Sequence, residues 1–141
     1  MHFAALCTGR RSYYTAPIKA LVSENSLIWW RCSVENVGMI TGDTHINADA
    51  PIICCTAEIL RTRHCVRAVM PMSAVWRWTR FHYYGDSERG WAWQVPLLTL
   101  PNTQFLLMSA TLGNVDAIAD KLEDMTDTDV DIIADAPRRY R

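Results

Sequence analysis

Thr15, Pro17 and Lys19, in the stretch Tyr-Tyr-Thr-Ala-Pro-Ile-Lys, could do chemistry together in this 141-residue chain. An apolar strand stops at Thr15-Ala16-Pro17 and a helix opens. Proline at a first helical turn leaves neighbouring N–H groups free to hold an anion, and Lys19 adds a charge. A phosphate would fit there. An ordinary strand-to-helix turn with a solvated lysine accounts for the same residues, and taken alone they favour it. Three other groupings point away from catalysis. His64, Cys65 and His82 with Cys54-Cys55 could be drawn as a metal site, but no C-x-x-C or H-x-x-x-H spacing exists. They read as buried or incidental thiols, and no metal is expected. Asp86, Glu88 and Arg89 read as a charged loop before a helix rather than an acid-base cluster. Trp91 and Trp93 read as helix packing rather than a platform for bases.

The elements that must position these residues alternate. Tyr13 to Ala16, Asn36 to Ile40, Pro51 to Thr56 and Gln104 to Ser109 read as strands, the last two as buried ones. Helices are expected over Ile18 to Ser26, Ala57 to about Val66, Gly90 to Leu98 and Asn114 to Met125, with a final strand at Val130 to Ala134. Strands alternating with helices predict an α/β fold, a parallel sheet covered by helices. No internal repeat and no Gly/Ser linker divides the chain.

Composition sets the outer bounds. Half of the residues are hydrophobic, enough for one domain with a core and too few in total for two. A net charge of -1 gives no field that implies a nucleic-acid or membrane partner by itself. Five cysteines, with Cys54-Cys55 adjacent in an apolar run, suit a reduced interior better than a disulfide framework. A cytoplasmic location is the expectation. No apolar run approaches the ~18 residues of a membrane helix, so no membrane partner is expected.

Five segments together carry a resemblance that none carries alone: TAPIKALVSE from Thr15, NVGMITGD from Asn36, IICCTAEIL from Ile52, FHYYGDSERGWAWQVPLL from Phe81 and FLLMSATLGN from Phe105. Their order and spacing resemble the first motor domain of superfamily 2 helicases, most closely the Ski2-like DEAD/DEAH-box RNA helicases of actinobacteria. They cover more than half of the chain. The resemblance implies a RecA-like domain that binds RNA or single-stranded nucleic acid and, when intact, uses ATP and Mg²⁺. It assigns Thr15, Pro17 and Lys19 to the nucleic-acid backbone, with further contacts from the Thr41-Gly42-Asp43 loop and from Thr56 and Glu58. Ser109-Ala110-Thr111 resembles the motif linking the ATP site to the nucleic-acid site, two hydroxyls where open α/β sheets place ligands.

Two parts depart from the pattern. No G-x-x-x-x-G-K-[ST] occurs, so the phosphate loop is expected upstream of Met1, outside this chain. The family's Asp-Glu-x-His would end at His82, after Phe81, yet Thr79 and Arg80 stand at the acid positions. The aspartate would help hold Mg²⁺ and the glutamate would handle the attacking water. Arginine instead sets a cation beside a cation, a repulsion of about 4 kcal/mol at a few ångströms and an effective dielectric near 20. The chain alone is expected not to hydrolyse ATP and not to bind the nucleotide. The alternative is a non-enzymatic RNA-binding module that keeps the contact surface. The missing remainder of the helicase would be its partner.

The departure is local. Arg61 to Arg80 fits the family nowhere although both flanks do, and four of the six tryptophans, Trp29, Trp30, Trp76 and Trp78, fall here or in residues 25–33. Taking the third base of each codon with the first two of the next, Trp78-Thr79 must read G-AC, aspartate, whichever threonine codon is used. With compatible codons the segment reads ANTALRAGRDADVGCVAVDE, ending in Asp-Glu immediately before Phe81-His82. Residues 25–33 and 61–80 are therefore expected to be out of frame. A true divergent insertion is the alternative.

The C-terminal Arg139-Tyr140-Arg141 fits the same account. CCG GTA CCG CTG AGC, one way to write Pro-Val-Pro-Leu-Ser, becomes CGG TAC CGC TGA when one C is lost. That is Arg-Tyr-Arg and stop. Restoring one base in the DNA beyond codon 141 is expected to reopen a long frame beginning near Pro-Val-Pro-Leu. A frame that closes at once would refute the account.

Overall fold

Residues 13–16 and 52–56 contain no charge and are rich in aromatic and β-branched side chains, the composition of strands covered on both faces. The computed structural model describes residues 1–61, 74–100 and 103–134, and the side chains of all of these except 60 and 61. In it six strands form one sheet: β1 (Ser12–Ala16), β2 (Val37–Ile40), β3 (His45–Ile46), β4 (Ile52–Thr56), β5 (Val75–Thr79) and β6 (Gln104–Met108). Their order is β3-β2-β4-β1-β5-β6. Only the short β2–β3 pairing is antiparallel; β2–β4, β4–β1, β1–β5 and β5–β6 are parallel. The helices are α1 (His2–Cys7), α2 (Lys19–Trp30), α3 (Trp91–Thr99) and α4 (Val115–Thr126), with 3₁₀ turns at Val34–Asn36, Ala57–Arg61 and Phe81–Gly85. The expected α/β architecture, a mostly parallel sheet flanked by helices, is the one observed. No helix among the described residues is long and apolar enough to cross a membrane.

Side chains along a strand alternate between faces, and the core divides accordingly. On one face Tyr14, Ala16, Val37, Met39, Ile52 and Cys54 cluster with Val22 of α2, and Leu21, Trp29 and Trp30 pack against them. The other face is aromatic: Tyr13 stacks on Trp76 with centroids 4.6 Å apart, and Trp78 meets Trp93 of α3 and Phe105 edge-on, each at 5.2 Å. Adjacent Cys54 and Cys55 thus cannot share a face. Burial pushes both thiols up to about 12, so both are protonated, as the reading of inert thiols requires. Gly38 lies where β2 passes under the 47–50 turn. A Cβ there would sit 2.1 Å from the Asn47 carbonyl oxygen.

Several expectations need correction. α2 runs to Trp30 rather than ending at Ser26, because the residues beyond find partners: the Trp30 indole N–H donates to the Val37 carbonyl at 2.9 Å, and Trp29 meets His2 edge-on at 4.6 Å. The helix expected from Ala57 to Val66 is a 3₁₀ turn over Ala57–Arg61, and its remainder, with His64 and Cys65, lies outside the described residues. β6 is not a buried strand. It forms one end of the strand order, so only one neighbour covers its backbone, and Gln104, Leu106 and Met108 are exposed. Val130 to Ala134 forms no strand: the Val130 N–H is taken by the Glu123 carboxylate at 2.9 Å, and Ile133 stays 81% exposed. These last residues belong with α4 to a separate unit, Thr111–Arg141. In that unit Asn114 caps α4 by accepting from the Ala117 N–H, and Asp127 ends it in the left-handed region at φ 52°.

β5 is also better packed than its sequence suggests. An arginine between two tryptophans reads as a poor central strand, yet the alternation sends Trp76 and Trp78 into the aromatic face, both 0% exposed. Arg77 goes to the other face, where its guanidinium carbon lies 5.9 Å from the Tyr14 ring centre. The rest of the segment, residues 62–73, lies outside the described residues. Packing leaves one debt: neither indole N–H, Trp76 nor Trp78, meets an acceptor among the described residues.

An unmet buried donor costs about 1–3 kcal/mol, similar to the cavity cost of trimming an indole to a phenyl ring. Trp76→Phe and Trp78→Phe are therefore expected to change stability by less than about 1 kcal/mol, whereas alanine at either position costs about 3–5 kcal/mol. Urea denaturation of the four variants measures this. A loss above about 2 kcal/mol for the phenylalanines would show that the N–H groups are paired.

Candidate nucleic-acid interface

Parallel pairing aligns strand ends. Because β2, β4, β1, β5 and β6 share one direction, residues 41, 56, 16–17, 79–80 and 109 emerge side by side at one edge. That edge is the carboxyl edge, where open α/β sheets bind ligands. Four of the five segments singled out in the sequence end a strand at it, and the fifth, from Phe81, begins directly after β5.

Depth sorts these residues. Thr15 is 0% exposed and lies 3.5 Å from the Cys55 sulfur. As placed, its hydroxyl belongs to the core and not to the surface expected for it. Pro17 is buried, while Lys19 at the start of α2 is exposed. Thr41 is buried and its hydroxyl donates to Asp43 at 2.9 Å; Thr56 is 8% exposed. Gly42 and Asp43 are exposed, and Glu58 is half-buried. At the far side Ser109 is half-buried and Ala110 exposed. Thr111 is exposed in the second unit.

Side-chain bonds tie the strand ends together in three places. Lys19 Nζ donates to Asp43 Oδ2 at 2.6 Å and to Thr44 Oγ1 at 3.2 Å, joining the β1 turn to the β2–β3 loop. The lysine bond, then the Thr41 hydroxyl, hold the Asp43 carboxyl down at about 2, so it is ionised throughout the physiological range. On the other side Arg89 donates through Nε and Nη2 to Glu58 Oε1, and through Nη2 to the Pro17 carbonyl at 2.8 Å. The third tie is His82, whose Nδ1 lies 3.0 Å from Ser109 Oγ. His82, just past β5, and Ser109, just past β6, are thus brought together.

The acid positions lie in the same row. The Thr79 hydroxyl donates to the Thr15 carbonyl at 3.3 Å and lies 3.4 Å from the Tyr14 hydroxyl. Arg80 is exposed and held in the left-handed region, φ 57° and ψ 44°, an unfavourable conformation for a side chain with a Cβ. Phe81 turns back into the core at 1% exposure. Neither residue at positions 79 and 80 offers an anion to a cation, and no cluster of three metal-binding side chains exists among the described residues.

Arg89 is the residue that sequence reasoning passed over. It belongs to a built turn: Asp86 Oδ1 accepts from the Glu88 and Arg89 N–H groups at 2.9 and 2.8 Å. Those two bonds draw the Asp86 carboxyl below its ordinary range. Gly90 follows because a Cβ would lie 2.4 Å from the Tyr84 carbonyl oxygen and 2.5 Å from that of Asp86. The signal was the spacing Asp-x-x-Arg-Gly, a side-chain cap followed by a residue without a Cβ. A charged loop has no need of that order.

Known proteins can now be set beside this edge. No family model matches the chain. Among curated proteins it is 34% identical over 118 residues to the DExH-box ATP-dependent RNA helicase DExH9 of Arabidopsis thaliana, covering 82% of this chain and 12% of that protein. It is 33% identical to the Exosome RNA helicase MTR4 of Homo sapiens, over 82% of this chain and 11% of that one. Its homologues are Ski2-like DExH-box RNA helicases. A third, the Probable helicase HelY of Mycobacterium tuberculosis, is 31% identical over 79% of this chain and 13% of its own length. The chain spans about a tenth of the length of these helicases. The fold above is that of a partial RecA-like helicase domain.

Gly90 gives a test of the edge's construction. Gly90→Ala drives a Cβ into two backbone oxygens that cannot both retreat, and is expected to cost about 2 kcal/mol or more. Gly42→Ala, where a Cβ meets nothing within 4 Å, should stay within about 0.5 kcal/mol. Thermal unfolding of both variants checks the contrast.

Proposed function

We propose that this chain is the part of the first RecA-like domain that follows the phosphate loop in an ATP-dependent RNA helicase, and that alone it does not hydrolyse ATP. The observation that carries the reading is the convergence of five helicase-like segments on one carboxyl edge. Thr79 and Arg80 account for the missing hydrolysis, since no carboxylate stands where Mg²⁺ and the attacking water would need one. In the intact helicase, Mg²⁺ and ATP would meet the edge near positions 79 and 109. Nucleic acid would meet it near Lys19, the Thr41-Gly42-Asp43 loop, Thr56 and Glu58.

A displaced reading frame over residues 25–33 and 61–80, in a gene of actinobacterial origin, explains why the acids are gone. The two unpartnered indole N–H groups in β5 support it, because the shifted reading supplies valines at positions 76 and 78 and so no donors to satisfy. The left-handed Arg80 supports it too. A cytoplasmic location follows from the same reading.

The second reading, an RNA-binding module without a motor, is favoured by one observation. The nucleic-acid half of the edge is fully assembled by Lys19–Asp43 and Arg89–Glu58 even though the hydrolytic half is not.

Filter binding with single-stranded RNA at several salt concentrations, beside an ATPase assay, separates the cases. Phosphate release at the level of a protein-free blank is expected, together with salt-sensitive RNA binding if the edge works alone. RNA-stimulated hydrolysis abolished by Ser109→Ala would overturn the proposal. Absence of RNA binding would eliminate the module and leave an inert fragment.

A further inference from the structure

Two carboxylates of the nucleic-acid edge, exposed Asp43 and half-buried Glu58, are each paired with a cation, Lys19 and Arg89. Bare carboxylates would repel phosphate, so what neutralises them matters. Arg89 does more than neutralise, because the same guanidinium reaches two strand ends at once. It bonds Glu58, just past β4, and the Pro17 carbonyl, just past β1. These are neighbouring parallel strands, paired up to Ala16 and Thr56. The Asp86 cap and the crowded Gly90 fix where its backbone starts, and Trp93, one turn into α3 and 1% exposed against Trp78, anchors the helix that carries it.

Resting on the reading that this edge meets RNA, we propose that Arg89 is a positioning residue of the interface: it sets the spacing of the Pro17 and Glu58 loops and masks the Glu58 charge without itself touching phosphate. Its Nε and Nη2 groups are committed to a carboxylate and a carbonyl in one fork, a geometry lysine cannot copy. Lys19, by contrast, is an exposed point charge held by Asp43, free to exchange that partner for a phosphate.

Two measurements on the full chain test this. Hydrogen exchange reads the positioning without RNA: Arg89→Ala should speed exchange at the amides of residues 18–20 and 57–59 by about tenfold, with Arg89→Lys intermediate and β1 and β4 unchanged. Exchange equal to the parent's at both loops would overturn the spacing role. Filter binding of a single-stranded RNA reads the mask. Arg89→Ala should weaken binding by about tenfold with an unchanged slope of log affinity against log salt, and adding Glu58→Gln should recover most of that loss. Lys19→Ala should lower the slope by about 1, as loss of a phosphate contact does. A slope that falls by about 1 in Arg89→Ala would make Arg89 a direct phosphate ligand and overturn the proposal. If the parent chain binds no RNA, the interface reading fails and the mask with it, while the exchange result still decides the spacing.

Discussion

Parallel pairing of β1 with β4 on one side and β5 on the other is the constraint on which everything else in this chain depends. Thr15 faces Cys55 in one ladder and Trp78 in the other, and a slip by one residue in either would turn its side chains to the wrong face. Register therefore fixes two things together. It divides the core into an aliphatic side under α2 and an aromatic side under α3. It also brings the carboxyl ends of the five parallel strands to one edge in a fixed order. The candidate interface is a consequence of the ladder, and its small side-chain ties only refine positions that backbone pairing has already set to within a few ångströms.

Much of this was legible in the sequence for a simple reason. Residues 52–56 are a run without charge, which only a strand covered on both faces can use, and the order of five segments implied their convergence at one edge. Misreadings arose where a neighbour decides. Gln104-Phe105-Leu106-Leu107-Met108 is as apolar as a buried strand, yet no run of letters says that it will end the sheet. Val130 to Ile133 has the residues of a strand but no strand beside it to pair with among the described residues of its unit. Thr15 was assigned to the surface because its segment is; strand alternation puts its hydroxyl against Cys55. Arg89 was read as part of a charged loop for the opposite reason, since its side-chain partners, Pro17 and Glu58, lie far from it in sequence and no local window contains them.

The aromatic face and the charged edge form one mechanical chain. Trp78 is held between Tyr13's neighbour Trp76, Phe105 and Trp93, and Trp93 lies three residues after the glycine that lets the Asp86 turn close. Desolvated rings in edge-on contact are worth about 0.5–1.5 kcal/mol a pair beyond their burial, and they resist displacement more than exposed ion pairs do. The ion pairs at the edge, at 36% exposure or more on every side chain, contribute little to stability because solvent screens them. Their effect lies in geometry and in the sign of the local field. A surface whose carboxylates are masked presents backbone N–H groups and hydroxyls to an anion, the donors suited to gripping a phosphate chain without reading its bases.

Position 79 shows how the end of β5 is bonded without a charged side chain. It ends β5 between Thr15 of β1 and Met108 of β6, and the hydroxyl there donates to the Thr15 carbonyl. A carboxylate in the same place is an acceptor only; set against a carbonyl oxygen it would need to turn away or share a cation. With threonine the local bonding closes on itself. Arg80 turns outward into solvent at the cost of a left-handed backbone, about 1–2 kcal/mol. The result is an edge bonded by its own chain at the end of β5, next to the exposed ion pairs Lys19–Asp43 and Arg89–Glu58.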